Sequence, residues 1–373
     1  MDKQRLLMLV GEEGHFRAHL LPIARAALAR GFEVHVALSQ DKDVRDLEPL
    51  GIKVYPVPLN RKSMNPLTEI KLLWAYVRLV GRLRPHVLHT FMMKPIVYGT
   101  FAGRLLGVGR IINTYLGLGT LFIHETLSMR LVRGCVSFYL RALSLGGRVL
   151  HVVQNDDDAA SLIKSRVAPP AKIHVQCSVG VNVTEYPRTP EPSSPPLIFA
   201  LVGRMLWDKG VREFVEAARL LNLPLTRAQF WLVGTPDPGS RHSVEEDTLR
   251  AWHEEGVIVY KGFQDTKTLW ARAHVAVLPS YREGLSRALL EAGVSGRCLI
   301  TADAPGGRSL VDDQKTGLLV PVQDAHSLSR AMAQVLEDEA LRANLSAASR
   351  AFILTHYTDE ICANRTVDLY THS

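Results

Sequence analysis

Short apolar runs alternate with helix-patterned stretches along almost the whole chain, and nothing else in the sequence limits the fold so tightly. The runs lie at 5–10 (RLLMLV), 33–38 (EVHVAL), 53–59 (KVYPVPL), 86–90 (HVLHT), 110–115 (RIINTY) and 148–154 (RVLHVVQ). Helical segments fall between them at 17–30, 66–83 and 99–106, and Asn155 reads as the cap of another over 155–163. Strands separated in this way by helices build a parallel sheet covered on both faces. The alternation breaks once. EYPRTPEPSSPP (185–196) holds five prolines in twelve residues, a composition that suits neither a helix nor an inner strand. It then restarts, with strands at 197–204, 229–234, 257–263, 274–280, 298–303 and 317–322. Helices follow these strands at 210–222, 243–254, 265–272, 287–295 and 325–336, and closing helices fill 339–371. The expected architecture is α/β: a doubly wound domain over 1–184, a proline-rich linker over 185–196 and a second doubly wound domain over 197–355.

A chain of 373 residues is long enough for two full cores. It has no apolar stretch of eighteen residues, so no membrane-spanning helix is expected. The N-terminus reads as the first strand rather than a signal peptide, because it lacks a long apolar region and a small-residue cleavage site. Cys135, Cys177, Cys298 and Cys362 are widely spaced with no CxxC pair. That spacing predicts unpaired thiols in a reducing compartment, with no structural zinc.

The charge of +7 is unevenly placed. Residues 1–190 carry 25 Lys and Arg against 14 Asp and Glu, whereas the remainder carries 19 against 23. In 67–85 and 127–148, Lys71, Arg78, Arg82, Arg84 and Arg133 mix with Trp74, Tyr76, Leu79 and Phe138. Such helices can lie on an anionic bilayer, or simply present a solvated face. No stacking platform or recognition motif points to nucleic acid.

The polar residues with most to say follow strands of the second half. YREGLSRALLEAG (281–293) reads as the end of an apolar strand, a turn at Gly284, Leu285 and Ser286, then a helix. A strand, glycine turn and helix leave free N–H groups at the helix start, a natural anion site. Glu283 stands at its mouth and Glu291 one to two turns down its wall. VGRMLWDKG (202–210) sets Arg204 and Lys209 five residues apart across a loop. Two such cations suit a diphosphate, or a surface ion pair with Asp208. GTPDPG (234–239) and APGGR (304–308) are glycine loops after further strands, and DDD (156–158) favours a helix dipole over a metal.

Together, GRMLWDKG, YREGLSRALLEAG and PGGRSLVDDQKTGLLVP resemble the donor domain of GT-B glycosyltransferases, most closely the retaining, family-four type. The two glutamates eight positions apart are that group's hallmark. GEEGHFRAHLLPIARAALARGFEVHV, HTFMMKP and NTYLGLGTLF in the first half are similar to bacterial members that extend lipid-linked oligosaccharides, N-acetylgalactosamine transferases among them. The resemblance implies two Rossmann-like domains facing a central cleft, acceptor-binding over 1–184 and donor-binding over 197–355. Residues 356–373 would pack back toward the first domain. It implies that Arg204 and Lys209 hold the diphosphate of a UDP-sugar and that the N–H groups of Leu285 and Ser286 add to them, after Gly284. Glu291 would bind the ribose, Glu283 the transferred sugar, and Gly14 would let a loop approach the phosphates. Many relatives carry a histidine where this chain has Leu116 ahead of Gly117. His15 is a candidate contact for the acceptor, or a capping residue, and His89 reads as structural.

The implied activity is retaining transfer of a hexose or N-acetylhexosamine from a UDP-sugar to a polyprenyl-diphosphate-linked saccharide. It would serve surface-glycan or protein-glycosylation assembly in a bacterium. The enzyme would need no metal or cofactor and would sit on the cytoplasmic, inner face of the membrane, with Arg78, Arg82 and Arg133 toward anionic lipid. The alternatives are a nucleotide-sugar epimerase of similar fold or a non-catalytic nucleotide-sugar-binding scaffold. A nicotinamide-dependent oxidoreductase is disfavoured, because residues 11–16 (GEEGHF) lack the dinucleotide fingerprint.

Overall fold

A computed structural model describes residues 3–39, 44–60, 65–118, 127–146 and 148–371. The end of the NTYLGLGTLF motif lies outside these residues. The chain forms two compact units, Met1–Gly180 with Glu360–Ser373, and Val181–Asp359.

The first unit is built on seven parallel strands: β1 (Arg5–Leu9), β2 (Glu33–Ser39), β3 (Ile52–Val57), β4 (Val87–Phe91), β5 (Arg110–Thr114), β6 (Val149–Val153) and β7 (Ile173–Val175). Their order is β3-β2-β1-β4-β5-β6-β7. The reversal at β1 and β4 is the switch point of a doubly wound sheet. Strand interiors are almost wholly buried, as helices on both faces require. The helix Pro66–Leu83 begins where its sequence says it should: Asn65 accepts from the Leu67 N–H (2.9 Å), and Pro66 takes the first position, which needs no donor.

The closing helix Asp359–Thr371 contributes to this first unit. Cys362, Ala363, Thr366, Val367 and Tyr370 are buried in it. Tyr370 Oη lies 2.7 Å from His89 Nδ1, and His89 Nε2 lies 2.7 Å from Thr114 Oγ1. His89 is thus a fully buried, partnered histidine, and burial pushes its pKa down to about 3. Cys177 and Cys362 form a disulfide with Cα atoms 5.3 Å apart. This corrects the expectation of unpaired thiols: residues 185 positions apart in sequence become neighbours only through the fold. Cys135 and Cys298 remain free.

The second unit has six parallel strands: β8 (Leu197–Val202), β9 (Ala228–Val233), β10 (Val259–Gly262), β11 (Val275–Leu278), β12 (Cys298–Ala302) and β13 (Leu318–Val320). They run in the order β10-β9-β8-β11-β12-β13. The proline-rich stretch lies inside this unit and is bound along it. Arg297, fully buried, donates from Nη2 to the carbonyls of Thr189 (2.7 Å) and Pro190 (3.1 Å). Arg342 Nε donates to Glu191 (2.6 Å), and His274 Nε2 lies 3.2 Å from the Pro192 carbonyl. Prolines lack N–H groups, but their carbonyls still accept, and buried arginines supply the donors. Residues 181 and 358 pair as an isolated bridge, with Val181 N–H donating to the Tyr357 carbonyl (2.9 Å).

Candidate active site

Parallel strands place all their carboxyl ends on one edge, where a doubly wound sheet binds ligands. In the second unit, β8 and β11 are neighbours. The loop after β8 leads through Arg204 into a single 3-10 turn, Trp207–Lys209. The loop after β11 runs from Pro279 to Ser286 and opens the helix Arg287–Val294. These two loops are clasped together. The Tyr281 N–H and the Ser280 hydroxyl both donate to the Asp208 carbonyl, at 2.9 and 3.1 Å. Gly210 has φ 74°, and a Cβ there would stand 2.3 Å from the Pro279 carbonyl oxygen, so only glycine permits this approach.

Lys209 Nζ donates to Glu283 Oε1 across the clasp, and both side chains are largely shielded from solvent. Glu283 is braced from its other side. Its N–H donates to the Pro305 carbonyl (2.9 Å), and Gly306 (φ 81°) packs so closely that a Cβ would lie 2.6 Å from the Glu283 carbonyl oxygen. The APGGR loop noted in the sequence therefore braces this glutamate.

Glu291 lies in the second turn of the Arg287–Val294 helix and is only 6% exposed. Arg287, one turn before it, donates to Glu291 Oε1 from Nε (3.1 Å) and Nη2 (2.9 Å). This i,i+4 pairing is thus made on a buried carboxylate. Tyr186 meets this group from the proline-rich stretch, its hydroxyl 2.9 Å from Thr266 Oγ1. Burial, then the charge of Glu291, push the Tyr186 hydroxyl up to about 12, so it keeps its proton at neutral pH. Ser286 caps the helix, accepting from the Leu289 N–H at 3.4 Å, with Gly284 and Leu285 completing the turn.

Arg204 stands apart from this cluster. Its side chain is 57% exposed and pairs with Asp237 (2.8 Å) in the GTPDPG loop, rather than with Asp208, the alternative partner that the sequence offered. Tyr186 beside Glu291 and the pair Tyr281–Glu213 (2.8 Å) were not singled out in the sequence. Tyr281 alone carried a signal, being two residues before Glu283.

The fold matches known structures across both units. HepE of Anabaena, solved with UDP and glucose, superposes with a TM-score of 0.75 over 98% of each chain at 18% identity. Residues 182–352 match the family described as glycosyl transferases group 1, and residues 7–144 match the family described as glycosyl transferase 4-like. The chain is a GT-B glycosyltransferase. Two relatives span most of this glycosyltransferase. The N,N'-diacetylbacillosaminyl-diphospho-undecaprenol alpha-1,3-N-acetylgalactosaminyltransferase of Campylobacter jejuni is 28% identical over 370 residues, 95% of this chain and 94% of its own length. The UDP-Gal:alpha-D-GlcNAc-diphosphoundecaprenol alpha-1,3-galactosyltransferase of Escherichia coli is 23% identical over 83% of this chain and 81% of its own.

The remaining candidates of the glycosyltransferase sit in its first unit. Gly14 lies in the single turn Glu13–His15 after β1, and a Cβ there would meet no atom within 4 Å. The rings of His15 and His19 lie with centroids 4.4 Å apart, tilted by 49°. Leu116 is half-buried against the core beside β5. Arg78 and Arg82 are exposed and one turn apart on Pro66–Leu83, whereas Arg133 on Leu127–Leu143 is half-buried. Both helices pack on Met93–Leu105. Their outer faces also expose Leu67, Ile70, Trp74, Leu131 and Phe138. Asp156, Asp157 and Asp158 occupy the first turn of a helix capped by Asn155 (2.7 Å). Among the described residues no group of three His, Cys, Asp or Glu is placed to hold a metal.

Proposed function

We propose that this glycosyltransferase moves a hexose or N-acetylhexosamine from a UDP-sugar to a polyprenyl-diphosphate-linked saccharide, with retention of anomeric configuration. The observation that carries the reading is the Lys209–Glu283 pair across the ends of β8 and β11, with buried Glu291 eight residues further on. A cation held between two loops and a shielded carboxylate on a helix wall match the charge and hydroxyls of a nucleotide sugar. The activities named for the two relatives support the donor and acceptor classes: one names UDP-Gal, and both name undecaprenol-linked diphosphates.

In this reading Glu291 accepts from the ribose hydroxyls and Glu283 from the sugar. Arg204 and Lys209, with the N–H groups of Leu285 and Ser286 after Gly284, take up the diphosphate. Gly14 leaves room for the phosphates on the side of the first domain, and His15 contacts the acceptor. The anomeric carbon exchanges its bond to the phosphate oxygen for one to the acceptor oxygen on the same face. The departing phosphate takes the acceptor's proton. The protein's work is then positioning and stabilising charge on the leaving group, without a metal. Domains 1–184 and 197–355 serve acceptor and donor, and Arg78, Arg82 and Arg133 face the anionic inner membrane surface.

The test is calorimetric titration with UDP, against GDP and NAD, in the presence of EDTA. UDP binds selectively, and Glu291→Ala weakens it by roughly 1.5–3 kcal/mol, the usual loss for a charged hydrogen-bond partner. Equal affinity in wild type and variant would remove the site assignment.

A further inference from the structure

Behind the Lys209–Glu283 pair stands a second link that no expected ligand contact explains. The helix Val211–Leu221 starts directly after Gly210, and Glu213 in its first turn points inward, 95% buried. Its Oε1 accepts from the Tyr281 hydroxyl at 2.8 Å. Its Oε2 is buried and has no hydrogen-bond partner among the described residues. Burial, then the hydrogen bond to Glu213, push the Tyr281 hydroxyl up to about 12. Tyr281 is tied to the same turn at its backbone, through its N–H to the Asp208 carbonyl.

The two loops are therefore joined at three successive levels: Lys209 to Glu283, Tyr281 N–H to Asp208, and Tyr281 hydroxyl to Glu213. A carboxylate buried with one oxygen unpartnered is costly, and an apolar residue in its place would favour the folded unit more. What the carboxylate supplies is a directional tether between the turn that carries Lys209 and the loop that carries Glu283.

We propose that Tyr281 and Glu213 are a positioning pair for the donor site, setting the separation of Lys209 and Glu283 without touching the ligand. This rests on the donor-site reading above. Without the tether, the link between the turn Trp207–Lys209 and the loop after β11 rests on the Asp208 carbonyl, which accepts from the Tyr281 N–H and Ser280, and on the Lys209–Glu283 pair itself, and Lys209 loses its alignment with the diphosphate.

The probe is UDP, titrated calorimetrically well below the melting temperature. Lys209→Ala serves as the test of the site itself. Tyr281→Phe and Glu213→Ala each weaken UDP by about tenfold, a modest misplacement of a charged group. Glu213→Gln keeps an acceptor for the tyrosine and stays within about threefold of wild type, since a neutral amide oxygen still accepts. The double variant Tyr281→Phe/Glu213→Leu removes the buried charge, recovers the melting temperature and still binds UDP weakly. If Lys209→Ala weakens UDP but Tyr281→Phe does not, the positioning role is overturned and the donor site stands. Recovery of UDP affinity in the double variant assigns the pair to stability alone and likewise overturns it. If Lys209→Ala has no effect, the donor-site reading fails, and this proposal with it.

Discussion

At the residue scale, the candidate site is a set of charges that are already paired, and each pairing has a consequence. Arg204 is engaged by Asp237 on an exposed surface, where an ion pair contributes at most about 1 kcal/mol. On the proposed donor site, a diphosphate entering the loop would draw Arg204 away from it. Asp237→Asn preserves an oxygen for the Gly239 N–H that Asp237 now accepts (3.1 Å) while removing the competing charge. We expect this variant to bind UDP about two- to fivefold more tightly, by relief of a weak competing pair, with little change in melting temperature. Arg204→Ala should move affinity the other way, also with little change in melting. A loss of affinity in Asp237→Asn would show that Asp237 orders the loop rather than restraining the arginine. Lys209 differs from Arg204 because its partner is shielded and its loop is clasped.

At the element scale, the helices Pro66–Leu83 and Leu127–Leu143 carry both charge and exposed apolar side chains. Trp74 is 67% exposed and Phe138 76%, on helices that also bear Arg78, Arg82 and Arg133. Apolar insertion and attraction of each basic residue to anionic lipid act together at a bilayer surface. Reversing the charge at Arg78, Arg82 and Arg133 should abolish flotation with vesicles containing anionic lipid, while Trp74→Ala should weaken it even at high salt. Equal flotation of wild type and the triple variant would rule out these helices as the docking face. Much of the element layout was legible in advance. The bounds of Pro66–Leu83 follow from its Asn-Pro start, and every strand read from an apolar run is present. Other features needed the fold. Met93–Leu105 was read only from residue 99, although its first turn also holds Pro95. Within a first turn it removes an N–H that has no partner anyway. The three-residue β7 is too short to show a period. The proline-rich stretch read as a spacer because the arginines that bind it, Arg297 and Arg342, come more than a hundred residues later.

At the scale of the whole molecule, buried histidines make the two units unequal toward acid. His89 and His151 are both fully buried in the first unit, and burial holds each down to about 3. His35, also in that unit, is lowered by burial. In the unfolded chain these groups take up protons near their ordinary pKa of about 6.5, whereas the folded unit does not until far lower pH. Stability is therefore complete above about pH 7 and falls as pH drops from about 6.5 toward 3, by up to about 1.4 kcal/mol per pH unit for each histidine. In the second unit burial lowers His274. Amide exchange measured from pH 7.5 to 5.5 should show protection lost faster in β4 and β6 than in β8 and β11. Parallel loss in both sheets would show that the histidines do not set the difference.

The bridge between Val181 and Thr358 bears on the ancestry and handling of such a chain. The polypeptide enters and leaves the second unit through residues that are bonded to each other, and the Cys177–Cys362 bond joins the same two segments on the other side of the crossing. In topological terms the second unit is an insert with coincident ends. Such an insert can be excised and replaced by its counterpart from a relative at a single seam, without re-routing the host strand order. If that unit binds the donor as proposed, exchange of 181–359 is the most economical graft for carrying one enzyme's nucleotide-sugar preference into another.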